Sequence, residues 1–530
     1  MPAAKVTQSS GGPGPIPSSD APHANTWYNQ RDFDGYRVSE QPLYMKRPIR
    51  IICTGAGASG LQVAFKAKHG LENYELQMYE KNHDVGGTWL ENRYPGCTCD
   101  VPSHSYQFPW ARNPNWSAYY SSSAEIWQYF RDVAVKYDLE QYIKFNTKVT
   151  RAEWNESSGQ WKDQEIDLNG KTVAVIGGGS SAVQIIPSSP VWITPGFGAK
   201  YAAPDGGNFE YSEEQKRRFR ENPDEALQYT RDVENELNKR YDLMHVNSDD
   251  QKISSQLVAK LMDHRLGDNK ELSSHIIPSF PLGCRRMAPG AGYLESLSKE
   301  NVQATTKSVV RLTQHGVVDE SGNEYEADCV ICVTGFDTSF SPHFEVIGRN
   351  GANLREQFGD FPVGYLGITV ENSPNLFLIS GPSAPSAHGS ALPIGEWFTR
   401  YSLMMINKYQ RDDMHSFEPS AAAIKDFYNH THELMKRLVW SAPCRSWFKN
   451  GKTHGPVTAI WPGSRLHFFE VMKEVRWEDY NVRWRTENRS QLMGNGYTQV
   501  ELSPDGDTTW YFDDAFVNLG LPNGDTMLRQ

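Results

Sequence analysis

Residues 49–82 read IRIICTGAGASGLQVAFKAKHGLENYELQMYEKN, and the order of residue types in this stretch decides the fold. The apolar run IRIICT enters Gly55-Ala-Gly57-Ala-Ser-Gly60, a stretch with helical spacing follows, and LQMYEK closes the unit as a second strand. Each glycine has its own reason. Gly55 permits the tight turn, Gly57 lets a pyrophosphate approach the backbone, and Gly60 lets the helix lie close on the strand. The helix N-terminus then offers free N–H groups and the positive end of its dipole to phosphates. Glu80 ends the second strand about 20 residues past the last glycine, where an acid holds ribose hydroxyls and favours FAD or NAD over NADP. The unit is the start of an α/β, Rossmann-like dinucleotide-binding domain.

A second strand and glycine turn begin at Lys171. Residues 173–198, VAVIGGGSSAVQIIPSSPVWITPGFG, contain Gly177-Gly178-Gly179-Ser180-Ser181-Ala182. Gly177, Gly179, Ser180 and Ser181 are its candidate phosphate-facing residues. A helix from Ser180 meets Pro187 after two turns, and Pro190 and Pro195 follow. A complete unit needs a longer helix and another strand here. No Arg or Lys lies between Lys171 and Lys200 to take a 2′-phosphate.

The 530-residue chain carries a net charge of -11, which argues against nucleic-acid backbones. Its mean hydropathy is -0.61, and no apolar run approaches the roughly 18 residues of a membrane helix. The N-terminal MPAAKVTQSSGGPGPIPSSDAPHAN has no apolar signal core and is rich in Pro, Gly and Ser, so residues 1–40 read as a disordered tail. Seven scattered cysteines read as reduced thiols of a cytoplasmic protein, with neither metal site nor disulfide; the Cys329–Cys332 pair sits inside an expected core strand.

Elsewhere SSSAEIWQYFRDVAVKY has helical spacing with serines placed to cap it. Residues 209–275 read as a helical insert with solvated charge runs. Ser212 and Gln215 are spaced as a capping box, and Asn222-Pro223 suits another helix start. Residues 301–337 suggest short antiparallel strands ending in a core strand. SPNLFLIS suggests a strand entering the small-residue loop GPSAPSAHGS, and residues 394–440 look helical.

Several separated blocks then carry a resemblance: GAGASG, GGTWLENRYPGCTCD, VIGGGSSA, FPLGCRRMAPGAGYLE, VTGFD, GPSAPSAHGS and WPGSRLHFFE. In this order they resemble the flavin-dependent class B monooxygenases, specifically the Baeyer–Villiger monooxygenases in a form common in fungi. The resemblance implies two Rossmann-like domains, one for FAD and a truncated one for NADPH. FAD-domain sequence would fill 41–162 and, with the C-terminal region, 337–530; the NADPH domain would fill 163–336. NADPH would reduce the flavin, O2 would add to give a C4a-peroxyflavin, and that would attack a small-molecule ketone of secondary metabolism.

By matched blocks, Gly55, Gly57, Gly60 and Glu80 would hold the FAD adenosine and pyrophosphate. Thr88, Trp89, Asp100 and Tyr106 would line the flavin. Arg286 would stabilise the anionic peroxide with Asp100 orienting it, and Trp447 would contact the nicotinamide ribose. The family fingerprint F-x-G-x-x-x-H-x-x-x-W is absent: Gln160-Trp161-Lys162 runs straight to Asp163. That loss and the short second unit keep two alternatives open, a flavin hydroxylase without Baeyer–Villiger activity and a non-catalytic FAD-binding homologue.

Overall fold

The computed structural model describes residues 36–512 except 95, 168–189, 197, 205, 268, 291, 301, 303–306, 329–336 and 387–388. Residues 1–35 of the expected N-terminal tail, the Gly177–Ala182 turn and the expected Cys329–Cys332 strand fall outside the described residues.

The opening stretch folds as its pattern dictates. Strand β1 (Ile49–Thr54) leads through the glycines into helix α1 (Ala58–Gly70), which returns to strand β2 (Tyr74–Tyr79). The strands pair in parallel from Ile49–Tyr74 to Thr54–Tyr79, and β2 pairs in parallel with β3 (Ile143–Lys144). Between them lie α2 (Thr88–Glu91) and α3 (Ser123–Lys136). The Ser122 hydroxyl accepts from the Glu125 N–H, so the expected serine cap forms. Ile126, Tyr129, Phe130 and Val133 are buried at i, i+3, i+4 and i+7, the stripe that faces a core. They join Leu61, Ala64 and Met78 in one apolar cluster. The long helix Ala391–Arg411 packs on α1, and Gln62 Nε2 donates to the Leu392 carbonyl at 2.7 Å. Two stretches distant in sequence thus form one support for the glycine turn.

A hairpin of β4 (Thr147–Asn155) and β5 (Gln160–Asp167) follows, with Glu345–Ile347 parallel to β4. β6 (Ile193–Thr194) pairs in parallel with β7 (Ala288–Pro289), which brings Arg286 to the chain just after Pro190. Val309–Leu312, Gly316–Asp319 and Glu324–Glu326 form the expected antiparallel strands. Two expectations are corrected. Residues 376–380 form no strand: Asn375 and Ser380 have positive φ at its two ends, which breaks a ladder. Residues 394–440 are not continuously helical, because Met414–Pro419 is a strand paired with Tyr480–Trp484. Among the described residues no helix is long and apolar enough to cross a membrane.

The 209–275 stretch holds α4 (Glu213–Glu221), α5 (Pro223–Asn238), α6 (Asp249–Arg265) and α7 (Lys270–Ile276). The Ser212–Gln215 capping box is formed, and Asn222 caps α5 with Pro223 in its first turn. Two contacts show that these helices do more than solvate charge. Arg465, buried on the far C-terminal side, pairs with Glu234 and Asn238 of α5. His104 lies inside a cage of Tyr211, Phe219 and Tyr229, with ring centroids 5.0–5.2 Å away.

His104 is 2% exposed, and its Nδ1 meets the Tyr211 hydroxyl at 3.1 Å. Burial lowers its pKa from 6.5 to about 4. Between these values the unfolded chain binds the proton and the folded chain does not. Stability therefore falls as pH drops through that window, by roughly 3 kcal/mol at most. We expect His104→Phe to flatten the fall in melting temperature between pH 6.5 and 4. An unchanged slope would show that other groups set it.

Candidate active site

The glycine turn has the geometry of a phosphate cradle. Gly55 has φ +96°, and nothing among the described residues lies within 4 Å of where its side chain would be. A Cβ on Gly60 would sit 2.2 Å from the Gly55 carbonyl oxygen, so helix and strand meet there through backbone alone. A Cβ on Gly57 would meet Gly87 Cα at 3.5 Å, and the Gly86 N–H donates to the Ala56 carbonyl. The GGTW stretch is thereby fixed against the first turn. No side chain caps α1, so its first N–H groups remain for a ligand. Glu80 is 3% exposed and folds over the turn: its carboxylate accepts from the Ala56 N–H at 2.7 Å and the Asn82 N–H at 2.8 Å. Each carboxylate oxygen retains a further lone pair for a ribose hydroxyl. Thr88 is exposed at the start of α2.

A second group of predicted residues also converges. Asp100 Oδ2 accepts from Arg286 Nε at 3.2 Å and Nη2 at 2.5 Å, across 186 residues. Both side chains are partly exposed. Asp100 raises the Arg286 pKa above the ordinary arginine value, so the guanidinium is charged at every working pH. Trp89 Nε1 donates to the Tyr106 hydroxyl at 3.0 Å with the rings edge to face. Burial pushes the Tyr106 hydroxyl up, reinforced by Cys99 and Asp100. Tyr106 is therefore a neutral phenol, and Arg286 supplies the fixed positive charge of this wall.

Arg286 opens on a small cleft of about 30 Å³ lined by Val101, Met244, Met287, Trp440 and Phe448, with Arg285 and Gly389 also on its wall. Trp447 does not line it. It packs partly buried against the Met244–Val439 cluster, edge to face with Phe448 at 4.7 Å. Sequence reasoning missed Met244, Trp440 and Phe448. Met244 lies in the stretch read as a solvated insert, and Phe448 stands next to the tryptophan that was chosen.

The structure also corrects the cysteine reading. Cys284 and Cys444 form a disulfide. Each directly precedes an arginine, Arg285 or Arg445, close to a predicted site residue. Cys53, Cys97 and Cys99 are free thiols.

The residues fit FAD on the structure's own terms. Among the described residues, besides the uncapped α1, the helix Ala391–Arg411 lacks a side-chain cap, and its buried Ser390 hydroxyl has no partner. Arg465 Nη1 is likewise buried without a partner among the described residues. These are donors and acceptors that a polar cofactor would satisfy.

Comparison with known proteins agrees. Residues 53–123 match the family model of the NAD(P)-binding Rossmann-like domain. Among solved structures, OTEMO in complex with FAD and NADP superposes with a TM-score of 0.69 over 83% of this chain and 100% of that one, at 20% identity. Oxidized steroid monooxygenase bound to NADP gives 0.67 over the same shares, also at 20% identity. These likenesses establish the shared fold. The Baeyer-Villiger monooxygenase of Pseudomonas aeruginosa is 27% identical over 84% of this chain and 94% of its own. FAD-binding monooxygenase moxY of Dothistroma septosporum is 33% identical over 91% and 88%, and FAD-binding monooxygenase tazF of Aspergillus terreus is 36% identical over 89% and 95%. With an intact first glycine turn and this level of identity across nearly its whole described length, the chain belongs to the FAD-binding monooxygenases.

Proposed function

We propose that this flavin monooxygenase uses NADPH to insert one oxygen atom from O2 beside the carbonyl of a small-molecule ketone, a Baeyer–Villiger oxidation in secondary metabolism. The observation that carries it is the Asp100–Arg286 pair at the mouth of an apolar cleft. Bound FAD supplies the oxygen-activating chemistry. The chain's own residues do the rest. Gly55, Gly57, Gly60 and Glu80 hold the adenosine and pyrophosphate part, and Thr88, Trp89 and Tyr106 bound the ring. Arg286 holds positive charge where oxygen becomes anionic, and Asp100 fixes the guanidinium plane. A fixed cation in a partly dry cleft needs no reorganisation when negative charge develops. Met244, Met287, Trp440 and Phe448 make the wall beside Arg286 apolar and keep water from it. NADPH use is supported by relatives solved with NADP and by the second glycine turn, Gly177, Gly179, Ser180 and Ser181 in sequence. Trp447 stands on the segment that would meet the nicotinamide ribose. Residues 41–162 and 337–530 would then form the FAD domain, and 163–336 the NADPH domain.

The test incubates FAD-loaded protein with NADPH, O2 and a panel of ketones. Expected is an ester or lactone 16 mass units above the ketone, with NADPH consumed in step. The missing fingerprint favours one competing reading, a flavin hydroxylase. Its product has the same mass, so ester hydrolysis to acid and alcohol separates the two. No ester from any ketone overturns the proposal.

A further inference from the structure

Arg286 and Trp447 lie on two segments with no secondary structure to unite them. Residues 281–287 form turns around Cys284, and residues 441–452 form turns around Cys444 and the short helix Trp447–Lys449. The segments are 160 residues apart in the chain and meet at the Cys284–Cys444 bridge. Both half-cystines are buried, and Arg286 is two residues from one of them. Phe448, four residues from the other, shares the cleft wall with Arg286.

The next residue on each side is an arginine. Arg285 and Arg445 are close enough that their charges oppose each other, adding to the burial that lowers the Arg285 pKa. Like charges in a half-buried site drive their segments apart. The covalent bond acts against that repulsion at its source. Lys449 Nζ donates to the Ala442 carbonyl at 2.5 Å, which stiffens the Cys444 loop, and Met287 packs in the apolar cluster of Trp440 and Phe448, so the bridge acts together with non-covalent packing.

We infer that the Cys284–Cys444 bridge is a positioning element for Arg286, and that its reduction loosens the cleft and uncouples the reaction. This rests on the reading of Arg286 as the catalytic cation. Opening is a two-electron exchange: a dithiol gives two electrons and two protons, the S–S bond becomes two thiols, and the dithiol closes to its own disulfide. The bridge would make oxygen insertion sensitive to thiol reductants.

The experiment has three parts, all on FAD-loaded protein. Non-reducing peptide mass spectrometry should find Cys284 joined to Cys444; free thiols at both positions overturn the inference. Next, the Cys284→Ala/Cys444→Ala double variant is assayed well below its melting transition. Expected is a roughly tenfold rise in H2O2 released per NADPH, of the size a small misplacement gives, at unchanged FAD content. Hydrogen exchange should quicken in 281–287 and 441–452. A bridge that only stabilises the fold lowers the melting temperature and leaves coupling intact, which overturns the inference. Should the variant not fold, native protein opened with dithiothreitol and reclosed with oxidised glutathione supplies the same readouts, and coupling must return on reclosure. Arg286→Ala is run beside it. If that variant stays coupled, the reading of Arg286 fails, while peptide mapping and hydrogen exchange still report the bridge.

Discussion

Replacing Arg286 with alanine is expected to lower ester formation by about 10³-fold while FAD content stays at the native level. NADPH would still be consumed, and its electrons would leave as H2O2. The size follows from where the guanidinium stands. Asp100 Oδ2 accepts from both Nε and Nη2, so one oxygen fixes the guanidinium plane at the edge of an apolar cleft. Removing the side chain deletes the charge and leaves the Asp100 carboxylate facing the same space with the wrong sign. Arg286→Lys separates charge from shape. An ammonium keeps the charge but cannot present two N–H groups in a fixed plane, so a loss of about 10–100-fold is expected. The pH profile adds a check. Asp100 raises the Arg286 pKa, and a cation with a raised pKa loses its charge only as pH climbs through that higher value. The native enzyme should therefore show no alkaline limb from this residue, whereas the lysine variant should show one near the ordinary lysine value of about 10.4. The measurement is product and peroxide against NADPH consumed. Full coupling in Arg286→Ala would remove this residue from the chemistry.

What the sequence made legible depended on the reach of each interaction. The Gly55–Gly60 turn could be read because its residues act within one bend of chain, and the same holds for the caps at Ser122, Ser212 and Asn222. The Asp100–Arg286 pair is of another kind. Its members lie 186 residues apart, and no local pattern joins them, so only the resemblance singled them out. Met244, Trp440 and Phe448 meet through the fold-back of the 209–275 stretch, whose α4 and α5 are held by His104 and by Arg465 from the C-terminal region. Polar composition made that stretch look solvated, although few of its residues carry the contact. LFLIS has every local mark of a strand, yet positive φ at Asn375 and Ser380 turns it away from any ladder. Met414–Pro419 is a strand because Tyr480–Trp484 arrives to pair with it, a partner that lies beyond any local window. The disulfide was misjudged because odd cysteine count and scatter describe the whole chain, while pairing depends on two positions.

Gly57→Ala and Gly60→Ala should fail in opposite ways, although they lie three residues apart in one motif. At Gly60 the added Cβ would stand 2.2 Å from the Gly55 carbonyl oxygen and 2.9 Å from the Met78 terminal methyl. The methionine end can swing aside, but the carbonyl is backbone in the tightest part of the turn. Helix α1 would have to lift from β1 and β2, opening the cluster that holds Leu61, Ala64 and Met78. Overpacking of this kind costs about 1–3 kcal/mol and more when backbone must move. The chain without FAD should therefore melt several degrees lower, and FAD should be lost as a consequence. At Gly57 the backbone is extended, with φ -74° and ψ -169°, which alanine adopts freely. Among the described residues its Cβ would meet only Gly87, at Cα 3.5 Å and N 3.8 Å, ordinary contacts. Melting without FAD should stay within about 1 °C of native, since nothing in the protein is displaced. The methyl would instead stand where the pyrophosphate approaches the backbone, so FAD affinity should fall about 100-fold. Melting curves with and without FAD, together with a flavin titration of each variant, read both effects. Equal melting losses without FAD would mean that Gly57 is held by the fold as tightly as Gly60. Undiminished FAD affinity in Gly57→Ala would mean that the pyrophosphate lies elsewhere.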